Sequence, residues 1–145
     1  MAKRSLRMTI PSDFAAGKKA QERVLTAVQK GGFNHNAMFA IKLALEEALI
    51  NAIKHGNHQD PHKKVKLSAT LAPSEIEIII EDEGSGFDRN GVPDPRVEEN
   101  LEKCSGRGIF LIESYMSEVE WSRGGRRLRM VFKAKDSKAG VPHPS

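Results

Sequence analysis

The seven residues Glu75-Ile76-Glu77-Ile78-Ile79-Ile80-Glu81 constrain this chain more than any other stretch. Acidic and β-branched residues alternate there with the period of a strand. Ile76, Ile78 and Ile80 therefore face a core, while Glu75, Glu77 and Glu81 face away from it. Ile79 breaks the alternation and implies partial cover on the second face. One-sided burial of this kind belongs to an antiparallel sheet with a solvated back. A doubly wound dinucleotide fold needs two apolar faces, and the second is missing. A similar strand over residues 65–71 precedes this one through Ala72-Pro73-Ser74, so the pair reads as a hairpin.

Around the hairpin the pattern predicts strand, helix, helix, two strands, long loop, helix, two strands. Residues 6–10 alternate and stop at Pro11; Ser12 or Asp13 can cap a helix over 13–30 that Gly31-Gly32 ends. Asn34 opens a second helix running to about Lys54, with Gly56 as its stop. Residues 82–105 are rich in glycine, proline and charge, with a short helix around 96–101. A loop of that length in a compact domain is usually functional or disordered. A helix over 108–116, strands at 118–122 and 127–134 turning at Gly124-Gly125, and an unpatterned tail over 135–145 complete the chain. The fold class that follows is α+β. It is a two-layer sandwich with a mainly antiparallel sheet and helices on one face, a single domain over 1–134.

Charge narrows the partners. Among 145 residues, 23 Lys and Arg oppose 19 Asp and Glu, a net of +4. Residues 75–102 hold ten acids and two bases, a local −8 that leaves +12 elsewhere. Duplex binding favours a single basic stripe, and aromatic residues that could stack on bases are only 6% of the chain. Direct nucleic-acid binding is not expected. The one cysteine, Cys104, cannot pair internally, and no apolar run reaches the ~18 residues of a membrane span. No apolar segment follows the basic N-terminus as it does in a secretory signal. A cytoplasmic protein without membrane contact is expected.

Three clusters carry chemistry. On the second helix, Ile41, Leu45, Ala48, Leu49 and Ala52 share an apolar face bordered by a polar row, Glu47, Asn51 and His55. A carboxylate at the edge of a core gains basicity, and a carboxamide oxygen can ligate a hard cation such as Mg²⁺. The same row also fits an ordinary solvated helix border. Leu43 and Ile50 fall on the opposite side and mark a candidate docking or dimer surface. The second cluster, Asp82-Glu83-Gly84-Ser85-Gly86, follows the apolar strand directly. Asp82 offers a carboxylate to an exocyclic amino group, and Gly84 and Gly86 let a ring lie against backbone; a plain Asp-Gly turn accounts for the same residues. The third is Ser105-Gly106-Arg107-Gly108 before an apolar helix, where free amides, the helix dipole and Arg107 suit a phosphate. No Gly-Lys-Ser/Thr follows, so it is not a Walker-type loop. His55, His58, His62 and Asp60 straddle Gly56 and Pro61 without a cysteine, at odds with zinc-ligand spacing.

In this order, a Glu-x-x-x-Asn helix, a strand ending in Asp-x-Gly-x-Gly, a variable loop and a Gly-x-Gly helix start resemble the histidine-kinase-like ATPases. The resemblance to their Bergerat fold covers residues 6–133. The short lid and the runs from Glu47 to Asn57 and Gly106 to Trp121 look most like the anti-sigma factor serine/threonine kinases. The resemblance implies ATP and Mg²⁺ as cofactors. Asn51 would hold Mg²⁺, Glu47 would be the catalytic base, and Asp82 would accept from the adenine amino group with Gly84 and Gly86 lining the ring. Ser105, Gly106, Arg107 and Gly108 would close the phosphate end. Lys54 matches a position where sensor kinases often carry a phosphate-contacting lysine, and His55 follows it in the same motif. The resemblance further implies phosphorylation of an anti-sigma factor antagonist, a sigma factor as second partner, and a homodimer. An alternative within it is an ATP-binding module that sequesters a partner without phosphoryl transfer. At 145 residues, the nucleotide module alone is expected.

Overall fold

The computed structural model describes residues 4–84 and 104–134. β1 (Arg4–Pro11) leads into α1 (Phe14–Lys30), α2 (His35–Ile50) and a π-helical turn (Asn51–Gly56), then β2 (Lys64–Ala72) and β3 (Glu75–Glu81). α3 (Cys104–Tyr115), β4 (Glu118–Ser122) and β5 (Arg127–Lys133) complete it. The strands form one sheet in the order β1-β2-β3-β5-β4, each neighbouring pair antiparallel. The expected fold class is the observed one. The expected short helix at 96–101, the loop around it and the tail over 135–145 lie outside the described residues.

Local chemistry explains most boundaries. Asp13 caps α1 by accepting from the Ala15 N–H at 2.8 Å, and Asn34 caps α2 by accepting from the Ala37 N–H at 2.8 Å. α1 closes where the Gly31 amide returns to the carbonyls of Ala27 and Val28. Two helix boundaries differ from expectation by four residues. α2 stops at Ile50 rather than Lys54, because the next turn widens: the Asn57 amide reaches back five residues to the Ala52 carbonyl at 2.9 Å. α3 starts at Cys104, four residues early, so Ser105, Gly106 and Arg107 lie in its first turn rather than before it. Glycine lowers helix propensity by only about 1 kcal/mol, which tertiary packing overrides.

The helices cover one face of the sheet. Ile76, Ile78 and Ile80 are buried there as expected, beside Leu67, Leu128, Met130 and Phe132. Val24 and Val28 of α1, Ile41 and Leu45 of α2 and Ile112 of α3 meet them in one core. Each such side chain contributes about 1.5–3 kcal/mol by leaving water. On the outer face Ile79 is half-buried, and Val131 is only 1% exposed between its cross-strand partners Glu77 and Glu118. Arg129 pairs with both of those glutamates, and Lys133 reaches Glu118 at 2.7 Å. The partial cover predicted for this face thus comes from charged side chains of the sheet itself. No described helix is long and apolar enough to cross a membrane.

Candidate functional site

A narrow cleft, with a cavity volume of only about 10 Å³, lies where α2, its π-turn, the end of β3 and the β4–β5 turn converge. Ala48, Asn51, Asp82, Trp121 and Arg126 are among its walls. Asp82 is the first residue past the β3–β5 ladder, which ends at the Glu81–Arg127 pair. Three successive amides anchor it. The Asp82 N–H donates to the Arg126 carbonyl at 2.9 Å, the Glu83 N–H to Asn57 Oδ1 at 2.7 Å, and the Gly84 N–H to Asp82 Oδ1 at 2.8 Å. Burial raises the pKa of the Asp82 carboxyl. The Gly84 amide and the nearby Arg126 charge oppose that rise.

Two glycines are required here by close approach. A Cβ on Gly56 would collide with the Asp82 carboxyl, and one on Gly84 would collide with the Gly56 carbonyl. The π-turn and the Asp82 loop are therefore interlocked backbone to backbone. In the last turn of α2, Glu47 is half-buried against α3: a Cβ on Gly108 would stand 2.8 Å from Glu47 Oε1. Glu47 and Asn51 lie one helical turn apart, about 6 Å along the axis. One continuous element thus carries a carboxylate that meets α3 one turn in, a carboxamide in the cleft and a wall behind Asp82.

The sequence-derived residues divide accordingly. Glu47 meets Gly108, and Asn51 shares the cleft with Asp82 and, through Asp82, with Gly84. Lys54 stands elsewhere: it lines a separate groove of about 490 Å³ between α1 and α2, with Phe14, Lys18, Glu46 and Ile50. His55 is half-buried in that turn, and burial, then the Lys54 and His58 charges, hold its pKa below the ordinary value. The backbones of Ser105, Gly106 and Arg107 form the first turn of α3. Gly86 and the side chains of Ser105 and Arg107 lie outside the described residues.

Sequence reasoning missed Asn57, Trp121 and Arg126. Asn57 is wholly buried; its Nδ2 donates to Ser12 Oγ at 2.8 Å and to the Lys64 carbonyl at 3.0 Å. Ser12 Oγ in turn donates to the Lys63 carbonyl at 2.7 Å. An asparagine just past a His-Gly helix end reads as a turn residue, and only tertiary contact reveals it as a hub. Arg126 and Trp121 flank a predicted turn, with no periodic signal that one would wall a cleft.

The family model of the histidine kinase-like ATPase domain matches residues 10–132. The chain belongs to this family. The anti-sigma F factor of Oceanobacillus iheyensis is 42% identical over 83 residues, 55% of this chain and 56% of that protein. The serine-protein kinase RsbW of the same organism is 30% identical over 95 residues, 61% of this chain and 60% of that protein. The chain thus matches little more than half the length of these curated relatives. The solved structure of the RsbU and RsbW domains of Rv1364c from Mycobacterium tuberculosis superposes with a TM-score of 0.58. It covers 89% of this chain and 31% of that one at 16% identity, a likeness of fold.

The donor and acceptor chemistry of these residues suits the nucleotide and cation that a histidine kinase-like ATPase domain implies. The Asp82 carboxylate accepts one bond from Gly84 and keeps further acceptor capacity toward the cleft. The missing side chain at Gly108 is what lets the Glu47 carboxylate approach α3 so closely, since a Cβ there would stand 2.8 Å from Glu47 Oε1. No group of three or more His, Cys, Asp or Glu converges into a metal centre among the described residues. Mg²⁺ held by one oxygen side chain and phosphates requires none, and the Asn51 carboxamide is such a donor.

Proposed function

We propose that this domain is a protein serine/threonine kinase that also acts as an anti-sigma factor. It binds ATP with Mg²⁺ in the cleft and phosphorylates a serine or threonine of an anti-sigma factor antagonist. That phosphorylation is coupled to sequestration of a sigma factor by partner switching. The observation that carries the chemistry is the approach of Glu47 to Gly108, which sets a half-buried carboxylate one turn into α3. The partner class is supported by the relatives, one named an anti-sigma F factor and another a serine-protein kinase. The working form is a cytoplasmic homodimer that contacts neither membrane nor nucleic acid.

Bound Mg-ATP supplies the phosphoryl group and the charge neutralisation that its transfer requires. Asp82 accepts from the adenine amino group, with Gly84 and Gly86 against the ring. Asn51 holds the cation. Ser105, Gly106, Arg107 and Gly108 hold the anionic end at the N-terminus of α3, where the helix dipole favours negative charge. Glu47 orients the incoming hydroxyl and takes its proton. Lys54 and His55 complete the proposed set of nucleotide-binding residues.

The test is a transfer assay with γ-labelled Mg-ATP and a candidate antagonist. Label should move to a serine or threonine of the antagonist, and Glu47→Ala should abolish transfer while nucleotide binding persists. Transfer that survives Glu47→Ala removes Glu47 as the base. Tight ATP binding with no label on any cognate antagonist replaces the kinase by a sequestration module.

A further inference from the structure

Four segments distant in sequence meet at the Asn57 side chain. Its Nδ2 ties the β1–α1 junction (Ser12 Oγ, 2.8 Å) to the start of β2 (Lys64 carbonyl, 3.0 Å), and its Oδ1 receives the Glu83 N–H at 2.7 Å. Three hydrogen bonds hold the carboxamide at 0% exposure, using both its donor and its acceptor ends, so the group has one orientation. Glu83 is fixed a second time, because its Oε1 accepts from the Lys64 N–H at 2.6 Å. Glu83 lies between Asp82 and Gly84, and Asn57 directly follows Gly56, whose backbone walls the Asp82 carboxyl. Of the three amide bonds that anchor residues 82–84, the one to Asn57 alone joins that loop to the π-turn.

We infer that Asn57, with Ser12 behind it, is the positioning residue that sets base selectivity by fixing the Asp82 carboxylate against the π-turn. This rests on the reading of the cleft as an adenine-nucleotide site. A carboxylate selects an amino-bearing base only when it is held at the right place. A shift of the loop by a fraction of an ångström costs the amino-group bond while leaving contacts to phosphate intact. Loss of Asn57 therefore removes discrimination between bases more than it removes nucleotide binding.

The experiment compares ATP with inosine 5′-triphosphate, which carries an oxo group where adenine carries its amino group. Trp121, the chain's single tryptophan and a wall of the cleft, gives a fluorescence readout for both titrations. The preference for ATP should fall about tenfold in Asn57→Ala and about threefold in Ser12→Ala, with affinity for the inosine nucleotide changing less than about threefold. Ser12→Ala keeps the Asn57–Glu83 bond and the buried carboxamide, so it reports the effect even where Asn57→Ala does not fold. A general loss of stability weakens both nucleotides alike and leaves their ratio alone. Wild-type protein that prefers ATP, with an unchanged ratio in Ser12→Ala and in any folded Asn57→Ala, overturns the role of Asn57 and leaves the cleft reading standing. Wild-type protein that binds neither nucleotide, or both equally, overturns the two together.

Discussion

α1 and α2 begin alike and end differently. Each starts at a short polar side chain accepting from a backbone amide two or three residues on. α1 then finishes at Gly31 with bonds to its own last carbonyls. α2 runs into a π-turn whose geometry is settled by residues far away, the Asp82 loop and the Asn57 hub. A helix end written in local sequence is a structural device. A helix end dictated by tertiary contact marks where the fold forms its site, as π-bulges often do.

The strongest way to break this contrast is to place one methyl at each end. Gly84→Ala forces a Cβ into the Gly56 carbonyl, and unfolding free energy should drop by about 3 kcal/mol or more in urea titration. Gly31→Ala, at an unstrained φ of −79°, should stay within about 1 kcal/mol. Equal effects would remove the distinction between the two ends.

Asp82→Asn separates stability from binding. Its folded pKa is raised, so the carboxyl's contribution to stability is full below its unfolded pKa and is lost as pH rises through the folded one. The neutral variant should therefore be as stable as wild type or more so at pH 7, and should lose that pH dependence. ATP affinity by calorimetry should fall about a hundredfold, since an amide presents a donor as well as an acceptor to the base.

The starts of the helices should respond equally. Asp13→Ala and Asn34→Ala each remove one cap bond and should each cost about 1 kcal/mol by thermal or chemical denaturation. A much larger cost at Asn34 would show that the start of α2, like its end, depends on tertiary packing.

Gln59, two residues past the hub, has a φ of 56°. Gln59→Gly should raise stability by about 0.5–1 kcal/mol in the same assay, because glycine adopts this conformation without the Cβ clash.

The smallest effect concerns His55. Its lowered folded pKa means its stabilising share is present above the ordinary value of 6.5 and is lost as pH falls through the lowered one. His55→Gln should flatten the stability–pH slope just below 6.5 and leave it unchanged above.

The sequence exposed whatever is decided by neighbours along the chain. Ile76, Ile78 and Ile80 declared the inner face of β3, Asp13 and Asn34 the helix starts, and Gly124-Gly125 the last hairpin. Glu47, Asn51 and Asp82 were visible because each sits on or beside a periodic element whose direction the pattern sets. Asn57 stayed hidden because its bonds reach residues 12, 64 and 83, and a buried carboxamide has no one-dimensional signature. The early start of α3 was obscured by two glycines whose weak propensity was outweighed by packing against α2.

The bonds of Asn57 also set when the cleft can exist. They close spans of 45 residues to Ser12 and 26 to Glu83, and contacts of such separation form only after most of the chain has collapsed. α1 and α2 can form while β3 is still unplaced, but the carboxyl of Asp82 has no fixed position until β1, β2 and β3 are joined. A partly synthesised or partly unfolded copy therefore holds helices without a usable cleft. Nucleotide occupancy then reports on the whole domain, and saturating ligand should slow its global unfolding rather than merely quiet one loop.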